Sequence, residues 1–183
     1  DMIRVGKQSM ARVLMPDNST VYIHPESQIL VNLYRPQHRG RTSKHLTVFA
    51  GAIFFLVKSA LPDALAGRDD SKVFTPTTVI ATRGTSFEVG VTEESGTTNV
   101  RVLNGTVLVR NILKDASRFL SAGYHTTVKM NTDPIVPAAL LDKHINALKA
   151  WVPPPVIDYE MKDQVKKARR DHRVITGKLK NRL

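Results

Sequence analysis

At 183 residues the chain has room for one domain with an appendage, and an apolar fraction of 42% is enough to build a core, which excludes global disorder. The net charge of +11 is unevenly placed: residues 160–183 carry nine Lys or Arg against three Asp or Glu, leaving +5 for the 159 residues before them. There is no cysteine, so a disulfide framework and a thiolate metal site are both excluded.

The longest apolar run, residues 50–57, is far too short to cross a bilayer as a helix. No charged-then-apolar leader opens the chain. The start at Asp1 reads as a mature or trimmed end, with any anchor lying upstream.

The first two-thirds alternates with period two, the signature of half-buried strands. Ala11, Val13 and Met15 alternate with polar neighbours before a turn at Asp17-Asn18-Ser19. Val21 and Ile23, then Ile29, Val31 and Leu33, follow in the same rhythm. Leu46, Val48 and Ala50 lead to Gly51, and 53–57 reads as a strand buried on both faces. A loop rich in Pro, Asp and Gly spans 62–70, after which 73–81 and then Phe87, Val89 and Val91 resume the pattern. Glu93-Glu94-Ser95-Gly96 is a turn, and Asn104-Gly105 is a tight-turn signal between 100–103 and 106–109. Tyr124, Thr126, Val128 and Met130 close a series of about ten strands, which predicts an all-β sandwich, barrel or solenoid.

The period changes at Pro137. Leu141, Ile145, Leu148 and Val152 share one helical face, ended by Pro153-Pro154-Pro155. Met161, Val165, Ala168, His172, Ile175 and Leu179 trace a second helical stripe among basic residues. The expected organisation is a β-domain over 1–133, a capping helix over 134–152, a proline spacer over 153–157 and a basic amphipathic tail over 158–183.

The strand and turn order resembles the FecR family. The similarity is carried by Ser9 to Ser19, by Val21-Tyr-Ile-His-Pro-Glu-Ser27, and by the stretch from Leu46 through Gly51 to Val57. Its most specific part is the Thr75-Pro76 strand followed by Arg83-Gly84-Thr85-Ser86-Phe87-Glu88-Val89; Val100 to Val109 and Leu120-Ser-Ala-Gly123 complete it. The resemblance implies a short, twisted, solenoid-like or sandwich-like β-domain in the bacterial periplasm. It also implies a place in circuits that regulate a sigma factor, or in envelope proteins with no such circuit. A structural role is expected for Arg83, Gly84, Thr85, Phe87, Val89, Gly105 and Gly123. The glycines would turn corners, Thr85 would satisfy a backbone group, and Phe87 and Val89 would point inward.

No catalytic pattern accompanies these strands. The six histidines (His24, His38, His45, His125, His144, His172) are scattered, and no nucleophile elbow, P-loop or dinucleotide fingerprint occurs. Asp69-Asp70 and Glu93-Glu94 are adjacent only in sequence. The expectation is therefore a protein that is not an enzyme, with no cofactor and no metal.

Function is expected in contacts: an envelope scaffold module docking through its tail, with Met161, Val165, Lys166, Lys167, Arg169, Arg170, Arg173 and Ile175 meeting a partner that presents an acidic or apolar groove. A membrane surface is a second destination for that tail; nucleic acid is not expected. The alternatives are a periplasmic signalling domain of a sigma-factor regulator, and a carbohydrate- or peptidoglycan-binding module.

Overall fold

The computed structural model describes residues 1–15, 19–36, 42–56, 70–82, 84–130, 132–133 and 136–149. The chain divides into two units, Asp1–Ala150 and Trp151–Leu183, and the second lies outside the described residues.

Among the described residues the first unit is all-β with one short helix. In chain order its strands are β1 (Met2–Arg4), β2 (Ala11–Leu14), β3 (Thr20–Ile23), β4 (Gln28–Pro36), β5 (Thr42–Leu56), β6 (Asp70–Phe74) and β7 (Thr78–Thr82). There follow β8 (Ser86–Val91), β9 (Thr98–Asn104), β10 (Thr106–Asn111), β11 (Ser117–Ser121), β12 (Tyr124–Val128), β13 (Ala138–Ala139) and helix α1 (Asp142–Lys149).

Two sheets share β5. The first runs β1-β4-β5-β6-β7-β10-β11, the second β2-β3-β5-β8-β9-β12-β13. Every pairing is antiparallel except β5 with β6. The strands fall mostly into hairpins placed alternately in one sheet and the other, so the chain repeatedly turns a corner between layers.

Period-two patterning explains why the layers face each other. Ile29, Leu46, Val48, Val73, Ile80, Val107, Val109 and Leu120 project inward from the first sheet. Val21, Ile23, Ile53, Phe55, Phe87, Val89, Val100, Val102 and Val128 project inward from the second, and all of these form one core. Phe55 and Phe87 are direct cross-strand partners whose rings meet edge-to-face at 5.6 Å. Each such fully buried aromatic contributes about 2–3 kcal/mol by burial.

Several sequence expectations change. Residues 42–56 are one strand rather than two, bent at Gly51 so that its first half lies in one sheet and its second half in the other. The run 73–81 is interrupted: Pro76 has no N–H to offer a ladder, and the chain reverses between β6 and β7. That turn is closed by Thr75 N–H donating to the Thr78 carbonyl at 2.9 Å, while Thr75 Oγ1 accepts from Thr78 N–H at 3.0 Å.

Asn104-Gly105 does not close a hairpin, because β9 pairs with β8 and β12 whereas β10 pairs with β7 and β11. Ala138 and Ala139 are not helical. They pair with His125 and Tyr124 at the edge of the second sheet, and the helix begins only at Asp142. Leu148 is buried, Ile145 is half-buried and Leu141 is 59% exposed, so the apolar stripe read as one face is only partly covered.

Candidate interaction surfaces and the corners that position them

The corners consume the residues that the sequence singled out. At the first, Pro25-Glu26-Ser27 carries the chain from β3 to β4, with Glu26 at φ 55°. Ser27 Oγ accepts from Ala52 N–H at 2.9 Å and donates back to the Ala52 carbonyl at 3.1 Å. Gly51 sits at φ +81° against this serine: a Cβ there would lie 2.6 Å from Ser27 Cα. No side chain fits, which is why the kink needs glycine.

The remaining corners form a column. Gly84 (φ 63°) turns β7 into β8, Gly105 (φ 81°) turns β9 into β10, and Gly123 (φ 81°) turns β11 into β12. Thr85 packs so closely on Gly105 that a Cβ at Gly105 would meet its Cγ2 at 2.6 Å. Gly105 O in turn accepts from Ala122 N–H at 2.9 Å, and Gly123 N–H donates to Val102 O at 2.9 Å. Phe87 and Val89 are fully buried on the strand that leaves the first of these corners. Thr85 bonds the Thr82 hydroxyl. Arg83 lies outside the described residues.

At the other ends of these strands the turns are joined by buried hydroxyls. Thr98 Oγ1 lies 2.7 Å from Thr75 Oγ1 and 2.8 Å from Thr77 Oγ1, and Thr77 Oγ1 donates to Gly96 O at 3.0 Å. Asn111, also buried, accepts from Leu113 N–H at 2.8 Å through its side-chain oxygen. Its amide donates to the carbonyl of Thr132. Each of these turn side chains has a partner, which offsets the cost of burying it.

What is left to meet other molecules is the outward surface. Across the second sheet the cross-strand register aligns Arg12, Tyr22, Phe54, Glu88, Arg101 and His125 in one row. The Arg12 guanidinium lies 5.9 Å from the Tyr22 ring centroid, Tyr22 stacks on Phe54 at 6.3 Å, and Arg101 donates to Glu88 at 2.7 Å. His24 lies within reach of that pair. Burial lowers its pKa from 6.5, opposed by Glu88 and assisted by Arg101.

Phe54 and Glu88 are only 6% and 8% exposed, and Glu88 is engaged by Arg101, so the middle of the row is packed rather than open surface. Glu93 and Glu94 are both exposed on their turn. Among the described residues no group of three or more His, Asp or Glu could hold a metal. No helix among them is long and apolar enough to cross a membrane.

Sequence reasoning missed Ser27, Thr75, Thr77 and Thr98 as organisers. Thr75-Pro76 and the Pro25-Glu26-Ser27 exit were visible as motifs, but their contacts are long-range. The eight tail positions expected to meet a partner (Met161, Val165, Lys166, Lys167, Arg169, Arg170, Arg173, Ile175) lie outside the described residues, as do His38 and His172.

The comparisons with known proteins agree with this architecture. Two crystal structures, at 1.65 Å and 2.50 Å resolution, of a candidate anti-sigma factor from Parabacteroides distasonis ATCC 8503 share the fold, with TM-scores of 0.61 and 0.62 at 18% identity. Each alignment covers 80% of this chain and 63% of that one, so the chain spans under two-thirds of its neighbour's length. No curated protein matches in sequence. The family described as FecR protein matches residues 1–108, which takes in β1 to β9 and the start of β10. Matched over more than half its length, with the corner motifs in order and the two-sheet fold in place, the chain belongs to the FecR family.

Proposed function

We propose that the domain is the signalling domain of a cell-envelope sigma-factor regulator, working in the periplasm through protein partners and not through chemistry of its own. The observation that carries this reading is the FecR match across residues 1–108. The fold shared with a candidate anti-sigma factor supports it. So does the way the polar and glycine residues of the motifs are used: they hold corners and turns.

This reading has better support than a scaffold module docking by its tail, which rests on the charge and stripe of residues 158–183 alone. The partners it calls for are a sigma factor's regulatory machinery on one side and a signal-presenting envelope receptor on the other. The test is to delete residues 1–150 in frame from the parent gene and sequence total RNA. The regulator reading expects a coherent shift in the genes served by one alternative sigma factor. An unchanged transcriptome, with the truncated protein still present, would rule it out.

A further inference from the structure

Among the described residues the two sheets end in four edge strands, and they are not alike. β1, β2 and β13 are three, four and two residues long, whereas β11 has five: Ser117, Arg118, Phe119, Leu120 and Ser121. Short edges are one way a fold avoids unwanted pairing. β11 lacks that protection.

Its backbone is also open. The turn between β10 and β11 is closed by Asn111 N–H donating to Ala116 O at 2.8 Å, which sets the alternation of the ladder. Arg118 and Leu120 therefore exchange hydrogen bonds with β10. Ser117, Phe119 and Ser121 turn their N–H and C=O groups the other way, and among the described residues nothing meets them.

The side chains say what would fit there. Phe119 is 73% exposed on the outward face, beside the half-buried Leu108. Arg118 stands on the opposite, core-side face with Leu120, at the rim, and forms no ion pair among the described residues. Lys114 in the adjoining turn is likewise exposed, with no ion pair among the described residues, while Arg110 is neutralised by Asp115.

We infer that β11 is a strand-addition site for an extended, acidic segment of a partner protein, apolar where it meets Phe119 and carboxylate-bearing where it meets Arg118. Pairing extends the first sheet by one strand, and the segment's alternate residues fall on Phe119 and Arg118 in turn. A second copy of β11 is disfavoured. A two-fold centred on Phe119 would set each Arg118 against the other copy's Leu120, desolvating two guanidiniums with no carboxylate for either. The inference concerns a surface outside the family-matched segment and stands whether or not the domain signals to a sigma factor.

The test uses the full chain and two labelled peptides, one alternating glutamate and valine, the other lysine and valine. Fluorescence anisotropy should show saturable binding of the acidic peptide, about tenfold or more tighter than the basic one. Hydrogen exchange should slow at the amides of Ser117, Phe119 and Ser121 when the acidic peptide is added. Phe119→Pro, which an edge strand tolerates where the N–H faces solvent, and Arg118→Glu should each weaken binding about tenfold or more. Equal affinity for the two peptides would overturn the inference. So would unaltered exchange at those three amides in the wild-type chain, even if a variant fails to fold. Protection of the same amides without peptide, rising with protein concentration, would assign the edge to a second copy instead.

Discussion

Among the described glycines, Gly51 is the one where an added Cβ meets backbone most closely, so Gly51→Ala is expected to be severe. The added Cβ would lie 2.6 Å from Ser27 Cα and 2.8 Å from Ser27 Cβ, with Ser27 Oγ closer still. The obstructing atoms include backbone of the corner between β3 and β4, so relief means moving that corner away from β5. That movement breaks the hydrogen bonds of Ser27 Oγ with Ala52. A left-handed conformation costs an L-residue about 1–2 kcal/mol, overpacking about 1–3, and a lost hydrogen bond about 1, together about 3–6 kcal/mol. For a domain of this size that lowers Tm by roughly 6–24 °C. Urea unfolding followed by circular dichroism measures it, with Gly6→Ala and Gly84→Ala as controls. Nothing lies within 4 Å of a Cβ at either control position, and only Gly84 has positive φ. Gly84→Ala should therefore cost only the conformational part, about 1–2 kcal/mol. If Gly51→Ala costs no more than Gly84→Ala, the corner relaxes freely and the steric reasoning is wrong.

Thr98→Val removes the hydroxyl shared by Thr75 and Thr77 while keeping the shape, and should cost about 1–3 kcal/mol in the same urea assay; a neutral result would mean the network contributes nothing net. His24 has a folded pKa below its unfolded 6.5, so the unfolded chain binds the extra proton. Its contribution is intact above about 6.5 and is lost as pH falls toward the folded pKa. Stability should therefore decline on acidification through the sixes, and His24→Gln should flatten that slope; an unchanged slope would show that His24 does not carry it.

The core was legible wherever one face of a strand is apolar. Val21 with Ile23, and Phe87 with Val89, alternate in sequence as they do in burial. The corners were harder. Asn104-Gly105 has hairpin chemistry, but whether two flanking strands pair is decided by distant neighbours, here β7, β8, β11 and β12. Gly51 looked like a strand break because its obligatory contact, Ser27, lies 24 positions away.

β11 was unreadable for a different reason: only Leu120 of its five residues is buried, so no period-two signal exists. The threonines at the turns look polar in sequence and are buried because they satisfy one another. Ala138-Ala139 is too short for any period to separate strand from helix, and the helical spacing of Leu141, Ile145 and Leu148 drew the boundary too early.

The proposed signalling role of this FecR domain is tested by sigma-dependent transcription. A reporter driven by the regulator's cognate sigma factor should be compared in cells carrying the wild-type, Gly6→Ala and Gly51→Ala chains, with protein levels matched by immunoblot. The account predicts a normal response with Gly6→Ala and a response locked on or off with Gly51→Ala. The same inducible response in all three, with the Gly51→Ala domain demonstrably destabilised, would contradict it.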